Sequence, residues 1–475
     1  MSIVTVTILW LRRDLRLADN PALAAALSEG DPVVPAFCLD RRLLTGRHAS
    51  AARTRFLLDC LRDLDRSLRD RGSGLVMREG LPERELAQLA RELGARSVHA
   101  SGDVGPFARR RDERVRGAVG DASAELVLHP GLFAVDDPAS ILTGAGRPYT
   151  VFTPYYRSWL RAPRREVIPA PDRLPALPSR VRRRKGRIPA LERIGLACAP
   201  LAGKSAVRGG ERAARARVEA FLSDGLREYG ARRDLLDAGP TSRLSPYLHL
   251  GCISPRELEA RLGHDAAAEE LRRQLCWRDF YAQVLRAFPA NVRSEYQRRY
   301  RGTIRWSRAR RRFDAWCEGR TGYPLVDASM RQLQREGWIH NRCRLVVGSF
   351  LTKDLGIDWR WGERWFMQML IDGDEANNNG NWQWIASVGV DPQSPGRRIY
   401  NPALQQARLD PDGAFVRRHV PELAGVPADF LAEPWTMPRA VQDAARCIIG
   451  RDYPAPIVDH ATARREAIAR YAAAR

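Results

Sequence analysis

The stretch DGDEANNNGNWQW, from Asp372 to Trp384, crowds two aspartates, four asparagines and two tryptophans into thirteen residues. It resembles a calcium-binding loop at first, but the sixth position of such a loop is Asn377 rather than glycine and the twelfth is Gln383 rather than glutamate. A turn rich in asparagine would account for the amides. It would not account for two tryptophans placed two residues apart. The stretch therefore predicts a site built from amides and indoles, without a metal.

The length and charge of the chain limit its class. With 475 residues it is too long for one hydrophobic core, so two or three domains are expected. The formal net charge of +22 indicates a polyanionic partner, most simply nucleic acid. The alternative explanation is a genome rich in G and C, which favours arginine, in a protein that does not bind DNA.

Cysteine usage and hydropathy indicate the compartment. The eight cysteines form no CxxC pair, which fits reduced thiols rather than a disulfide framework or a zinc site. The N-terminal segment MSIVTVTILWLRRDLRL alternates like a strand and lacks the apolar region of a signal peptide. No apolar run reaches the roughly 18 residues that a membrane span needs. We therefore expect a cytoplasmic protein without membrane association.

The pattern along the chain divides it into three regions. Residues 1–135 alternate strand-like and helix-like segments, which predicts a parallel sheet flanked by helices, although no GxGxxG motif follows the first strand. Residues 136–210 become rich in Pro and Arg from about Arg161 onward and predict a long surface connector. Residues 211–475 have a helical pattern and carry ten of the twelve tryptophans. The predicted fold is an α/β domain joined to an all-helical domain.

One helix of the last region combines side chains that make a poor core. A single face of the segment QLCWRDFY carries Gln274, Trp277, Arg278 and Tyr281. An amide, an indole, a guanidinium and a phenol suit a site that stacks on a flat heterocycle and hydrogen-bonds it. The alternative is a helix with one buried aromatic side and an arginine at its rim.

Two further segments carry polar groups with a definite chemical use. TSRLSPYLHLG, from Thr241, places hydroxyls and an arginine just before a helix that begins at Ser245. Free N–H groups, the positive helix end and hydroxyl donors together form a cradle for an anion. In GWIHNRCRLVVGSFL, Arg344 interrupts an apolar face and needs a carboxylate, which Asp372 or Asp374 could supply.

In their order along the chain, these motifs resemble the photolyase/cryptochrome family. The helical region carries TSRLSPYLHLG, QLCWRDFY, TGYPLVDASMRQLQREGWIHNR, SFLTKDLGIDWR, DGDEANNNGNWQW and NPALQQARLDPDGAFVRRHVPEL. The N-terminal half carries LWLRRDLRLADNPAL, PAFCLD and TGAGRPYTVFTPYYRSW. The resemblance covers nearly the whole chain and is strongest to bacterial class I photolyases of cyclobutane pyrimidine dimers. It implies a Rossmann-like antenna domain, a long linker, a helical domain that holds FAD non-covalently, and a monomer.

The resemblance also implies a role for each matching residue. Residues expected to hold FAD are Tyr229, Thr241, Ser242, Arg243, Leu244, Ser245, Arg278, Trp338, Asn341, Arg344, Asp372, Asp374 and Asn378. Asn378 also counts as catalytic, since its amide is expected to face the flavin N5. The expected electron relay, from surface to flavin, is Trp306, Trp359 and Trp382. Residues expected to receive a flipped-out lesion are Gln274, Trp277, Asn341, Arg342, Leu345 and Trp384.

The implied activity is light-driven repair of UV-damaged DNA, in which reduced FAD donates an electron to a cyclobutane dimer. Many enzymes with this activity have glutamate where this chain has Gln274, and glutamine there resembles the (6-4) photolyases and animal cryptochromes. Those relatives carry a His-His pair where this chain has His340 and Asn341. We therefore expect cyclobutane dimer repair, with a (6-4) photolyase or a blue-light photosensor as alternatives.

A second, light-harvesting chromophore is the remaining implication. The segment DVGPFARRRDE lacks the glutamate of folate-binding relatives and has Ala108 near that position. This segment and FCLD resemble the members that bind a deazaflavin or a flavin. A deazaflavin or flavin antenna is therefore favoured over a folate, and an empty pocket is equally compatible with the sequence.

Overall fold

A computed structural model describes residues 5–182, 186–196, 207–237 and 241–474. The N-terminal region forms one sheet of five parallel strands in the order β3-β2-β1-β4-β5. The strands are β1 Val6–Leu11, β2 Val33–Leu39, β3 Val76–Glu79, β4 Ala95–Ser101 and β5 Glu125–His129. All residues of β1 and β2 are buried, as expected for central strands with helices on both faces. The predicted α/β domain is confirmed.

Helices alternate with these strands. They are α1 Pro21–Ser28, α2 Arg41–Leu44, α3 Ala51–Asp70, α4 Pro82–Leu93 and α5 Pro106–Gly120. Cys198 lies outside the described residues, and the other seven cysteines are buried and free.

Part of the predicted connector is helical. Helix α6, Phe152–Arg161, buries Phe152, Tyr155, Tyr156 and Trp159, and a short helix α7 follows at Ser179–Arg182. Trp159 donates its indole N–H to buried Asp279 at 3.0 Å, and the same carboxylate accepts from the backbone N–H of Ala134 at 3.1 Å. The aromatic residues of α6 recur at helical spacing and give the helix an apolar face. The Pro- and Arg-rich sequence that follows α6 predicts a connector and gives no sign of this helix.

The C-terminal region is helical, as predicted. Its helices are α8 Glu211–Ala220, α9 Leu226–Arg232, α10 Ser245–Leu250, α11 Pro255–Ala260, α12 Ala266–Ala287, α13 Arg310–Glu318, α14 Pro324–Glu336, α15 Asn341–Ser349, α16 Trp359–Met369, α17 Glu375–Ile385, α18 Pro402–Leu409, α19 Ala414–His419, α20 Arg439–Ala444 and α21 His460–Ala473. Single π-helical turns follow α8 and α15. Within the described residues, no helix is both long and apolar enough to cross a membrane.

The end of β1 joins the two domains. Leu15 donates its backbone N–H to the carbonyl of Leu250 at 3.1 Å. At Gly251, in the left-handed region with φ of 67°, a Cβ would lie 1.9 Å from the carbonyl oxygen of Arg13. Only glycine fits this approach, so helix α10 ends directly against the carboxyl end of β1.

A second close approach joins α12 to α17. A Cβ on Gly380 would lie 2.1 Å from Cδ1 of Tyr281, so the ring of Tyr281 rests on the bare backbone of α17. This contact brings the QLCWRDFY helix against the DGDEANNNGNWQW helix. The fold therefore unites the two segments that the sequence analysis singled out.

Gly380→Ala should lower the free energy of unfolding by about 1–3 kcal/mol, because the added methyl overpacks the crossing. Gly117→Ala is the matched control, since a Cβ at this helical position of α5 meets nothing within 4 Å. The control should gain up to about 1 kcal/mol from helix propensity. Urea titration of both variants measures these changes, and equal stabilisation of the two would contradict the close contact.

Candidate functional site

The amides of helix α17 divide between two faces. Asp374 caps the helix and accepts from the backbone N–H of Asn377 at 2.9 Å. Asn379 and Gln383 both donate to the carbonyl of Asn291, at 3.0 and 2.9 Å, and so anchor a loop. This structural use of two amides was missed, because nothing in the sequence distinguishes them from their neighbours.

Asn378 lies on another face of α17 and belongs to the predicted site. Its side chain is buried and donates to the carbonyl of Glu363 at 2.9 Å. Trp382 follows one turn later on the same side of the helix. An amide and an indole predicted to serve the flavin therefore share one helical face.

The predicted ion pair of Arg344 is present. Its guanidinium donates to Asp372 Oδ2 at 2.8 Å and to the carbonyl of Ile339 at 3.1 Å. Asp372 is buried, and its second oxygen, Oδ1, has no hydrogen-bond partner in the described chain. A buried carboxylate oxygen without a partner is costly. It marks a position where a ligand N–H or O–H would fit.

Asp374 bridges to the α/β domain. Arg13 donates to Asp374 Oδ2 and, at 3.1 Å, to Asp103. Burial opposes ionisation of Asp374, but the charge of Arg13 holds its pKa well below the usual value. His249 lies 3.9 Å from the same carboxylate, and burial lowers its pKa to about 4. The site therefore contains an ionised aspartate beside a neutral histidine, whose buried Nδ1 has no hydrogen-bond partner in the described chain.

The predicted anion cradle surrounds the start of α10. Arg217 donates to the carbonyls of Ser242 and Thr241, both at 2.8 Å. Arg243 has a left-handed backbone with φ of 49°, and its guanidinium lies 4.3 Å from the ring centroid of Trp338. The indole N–H of Trp338 lies 3.4 Å from the hydroxyl oxygen of Ser245, which is exposed. These side chains therefore converge on one polar patch.

Three other residues predicted to hold FAD make contacts with the protein itself. Leu244 is buried below the cradle, and Tyr229 is buried in α9 with its ring edge against Phe221. Arg278 donates to the carbonyls of Leu132 and Leu248. Its guanidinium therefore ties α12 to both domains and is already occupied by protein acceptors.

Trp277 and Trp384, two of the residues predicted to receive a lesion, have half-buried indoles. Trp277 stacks on Phe152 with ring centroids 3.6 Å apart and planes 3° apart. Trp384 donates its indole N–H to Asp391 at 3.2 Å. Asp391 also accepts from the backbone N–H of Phe152 at 3.4 Å, so one carboxylate links both indoles. Asp391, with a left-handed φ of 53°, was missed because an isolated aspartate in DPQSP gives no signal.

The remaining predicted lesion residues differ in their exposure and partners. Gln274 is exposed one turn before Trp277, and Asn341 is exposed at the first position of α15. Arg342 donates to Asp234 at 2.8 Å, whereas Leu345 packs on the hydrophobic core. Gln274 and Asn341 are thus the two whose polar side chains remain open to a ligand.

His340, next to Asn341, is fully used by the protein. Its Nδ1 accepts from the backbone N–H of Arg342 at 3.1 Å, and its Nε2 lies 2.8 Å from the carbonyl of Arg233. This pair of partners requires a neutral ring protonated at Nε2. Burial also lowers the pKa of His340 to about 4, so the ring is not a cationic imidazolium at neutral pH.

The three tryptophans of the predicted relay are all associated with the start of α16. Trp382 and Trp359 are buried, and Trp306 is half-buried. A Cβ on Gly362 would lie 2.1 Å from Cη2 of Trp382, so that indole touches α16 one turn after Trp359. Ser307 donates to the carbonyl of Gly356 at 2.7 Å, which places the Trp306 segment beside the entry to α16.

A cleft of about 520 Å³ opens at the carboxyl edge of the sheet. Its lining includes Asp103, Arg109 and His129 from the α/β domain and Arg286 from the end of α12. Ala108 is buried on α5 and does not line it. The cleft is therefore shared by the two domains.

Comparison with known proteins gives full-length matches. The model described as the FAD binding domain of DNA photolyase matches residues 271–473, and the model described as DNA photolyase matches residues 7–176. A deoxyribodipyrimidine photo-lyase of Streptomyces griseus is 40% identical over 472 residues, which cover 97% of this chain and 98% of the relative.

Solved structures agree with this. A class III photolyase from Agrobacterium tumefaciens has a TM-score of 0.90 and 34% identity, covering 99% of this chain and 98% of its own. A cryptochrome from Synechocystis has a TM-score of 0.89 and 30% identity, covering 98% and 100%. An archaeal photolyase from Sulfolobus tokodaii, solved with two FAD molecules, has a TM-score of 0.83 and 32% identity, covering 98% and 100%.

Identity of 40% over almost the whole of both chains, together with a matching architecture, leaves one assignment: the chain belongs to the photolyase/cryptochrome family.

Proposed function

We propose that this protein binds FAD in its helical domain and uses light to repair cyclobutane pyrimidine dimers in UV-damaged DNA. The observation that carries the proposal is the Arg344–Asp372 ion pair, whose buried carboxylate oxygen, Asp372 Oδ1, has no partner among the described residues and would accept a hydrogen bond from a cofactor. Asn378 and Trp382 share one face of α17 and are the other side chains predicted to serve the flavin.

The donor set suits FAD. The Thr241–Ser245 cradle, with its hydroxyls and arginines, would hold the phosphates. Asp372 Oδ1 and Asn378 would contact the flavin ring system, and Arg344 orients Asp372 through their 2.8 Å ion pair. When bound and fully reduced, FAD supplies a light-excited electron donor for the dimer. The protein supplies binding, orientation and exclusion of water.

Trp277 and Trp384 would receive the lesion. A dimer stacks poorly in the duplex, so flipping it out costs less than flipping a normal base. Two half-buried indoles linked through Asp391 offer flat apolar faces to its pyrimidine rings. Gln274, exposed one turn before Trp277, would hydrogen-bond a pyrimidine carbonyl. The net charge of +22 favours contacts with the surrounding phosphates.

The environment of His340 favours cyclobutane dimers over (6-4) photoproducts. A (6-4) reaction needs a proton donor at the lesion. His340 is neutral and held by two protein partners, and the next residue is Asn341. Gln274 and the likeness to the Synechocystis cryptochrome instead favour the second candidate, a blue-light photosensor. Repair activity distinguishes the two.

We also propose a deazaflavin or flavin as antenna, in the cleft between the domains. The cleft lining combines Asp103, Asp112, Glu113 and Asp136 with Arg109 and Arg286. The Sulfolobus relative with two FAD molecules supports a flavin.

Asp372→Ala should strongly reduce the FAD content of the purified protein, because it leaves Arg344 without its carboxylate. FAD is released by denaturation and quantified by chromatography. Asp459→Ala is the control: this exposed residue caps α21 through the N–H of Thr462 at 2.8 Å. Loss of that cap costs about 1 kcal/mol but should leave FAD content unchanged. Full FAD content in Asp372→Ala would refute the assigned pocket.

Trp382→Phe should largely abolish blue-light photoreduction of oxidised FAD while FAD stays bound. Phenylalanine keeps an aromatic ring at this buried position but is much harder to oxidise than an indole. Trp435→Phe, in a half-buried position against Tyr323, serves as the control and should photoreduce normally. The absorbance of oxidised flavin under illumination follows the reaction, and a normal rate in Trp382→Phe would show that the relay is wrongly assigned.

Gln274→Glu should keep FAD and raise the quantum yield of cyclobutane dimer repair, because a carboxyl group hydrogen-bonds a radical anion more strongly than an amide does. Separate assays on purified cyclobutane and (6-4) lesions measure this. The wild type should repair only the cyclobutane lesion. Repair of only the (6-4) lesion would reverse the substrate assignment, and repair of neither would favour the photosensor.

A further inference from the structure

The surface around Trp306 is unusually basic. Residues 297–313 contain eight arginines and no aspartate or glutamate. All eight arginines are exposed, and we call them the arginine surface: Arg298, Arg299, Arg301, Arg305, Arg308, Arg310, Arg311 and Arg312. They flank the half-buried Trp306 on both sides in sequence.

Few of these charges are neutralised by the protein. Among the described residues, Arg310 is the member of the arginine surface with an ion pair, to Asp314 at 2.8 Å. The nearest buried acid, Glu295, already pairs with Arg360 at 2.8 Å. Asp358, at the entry to α16, also pairs with Arg360, at 3.1 Å. Concentrated positive charge of this kind destabilises a fold by self-repulsion and creates a field that attracts anions.

Within the part of the chain that the structure describes, the aromatic contact of Trp306 does not supply an electron donor. Its aromatic neighbour is Tyr471, with ring centroids 6.3 Å apart. Oxidation of a phenol requires loss of its proton, but Tyr471 donates that proton to the carbonyl of Ala386, which is not a base. Burial also raises the pKa of Tyr471. An electron that replaces the one lost from Trp306 therefore has to come from outside the molecule.

We propose that the arginine surface docks an acidic electron-transfer protein, which delivers one electron to oxidised Trp306. The proposal rests on the relay in the proposed function. One electron leaves the donor, which becomes oxidised by one unit, and enters the Trp306 radical cation, which becomes a neutral indole; no proton moves. Complementary charge brings such partners together quickly, and electron-transfer complexes are typically small and transient.

The half-buried, oxidisable indole of Trp306, flanked by exposed arginines, favours a protein donor over nucleic acid. DNA phosphates have no electron to give at this potential. A basic ring around an oxidisable indole instead matches the requirement of a redox partner.

The test compares two triple variants with the same loss of charge. Arg305→Gln, Arg308→Gln and Arg311→Gln remove arginines that make no ion pair among the described residues. Arg66→Gln, Arg84→Gln and Arg91→Gln, at exposed positions on α3 and α4, form the control. Laser-flash spectroscopy measures the decay of the Trp306 radical with ferrocyanide, an anion, and with dithiothreitol, which is neutral.

Removal of the three arginines should slow reduction by ferrocyanide about tenfold at low ionic strength, the size expected for lost electrostatic steering. Reduction by dithiothreitol should stay the same, and so should both rates in the control. Salt at about 0.5 M should remove the difference, since screening then acts within a few ångströms. Calorimetry should show that an acidic plant-type ferredoxin binds the wild type and the control but not the arginine variant.

Each unexpected result would contradict either the relay or the docking proposal. If Trp306→Phe photoreduces normally, the relay itself is wrong. If Trp306→Phe is slow but both triple variants react alike with ferrocyanide, the relay stands and the docking proposal is overturned. If the arginine variant instead loses affinity for undamaged duplex DNA and binds ferredoxin normally, nucleic acid occupies the surface, which also overturns the proposal.

Discussion

The bridge made by Arg13 is the interaction on which the arrangement of the site depends. The residue follows β1 and donates to Asp103 of the α/β domain and to Asp374 at the start of α17. Its Nε also donates to the carbonyl of His249 at 3.1 Å. A guanidinium is the side chain best suited to hold several acceptors in one plane. Through this one residue, the edge of the sheet sets the position of the helix that carries Asn378 and Trp382.

Some of this arrangement could be predicted from the sequence. Alternating strand-like and helix-like segments gave the α/β domain because buried parallel strands are apolar along their whole length. The pairing of Arg344 with Asp372 followed from the cost of an unpaired charge within an apolar face. Both inferences depend on local composition, which a single sequence displays.

Other features depend on contacts between distant segments and could not be predicted. Asp391 joins Trp384 to the α6 segment through two hydrogen bonds, yet nothing near it in the sequence marks it. The two backbone carbonyls that accept from Arg278, those of Leu132 and Leu248, lie on segments far from it in the sequence. Asn379 and Gln383 looked like part of the polar site and instead anchor a loop at Asn291. In each case the partner is more than five residues away, where spacing rules give no guidance.

The absence of a side chain at Gly362 affects how the spacing of Trp359 and Trp382 responds to substitutions around them. Trp382 rests on α16 at this glycine, and Trp359 is three residues earlier on the same helix, about 4.5 Å along its axis. The separation of these two indoles is therefore fixed mainly by the rise of a helix and hardly by adjustable side-chain rotamers. Because electron tunnelling depends steeply on distance, a backbone-defined spacing would keep the rate of the proposed relay constant while the residues around it vary. In that relay, helix α16 would serve as a built-in length standard for charge transfer.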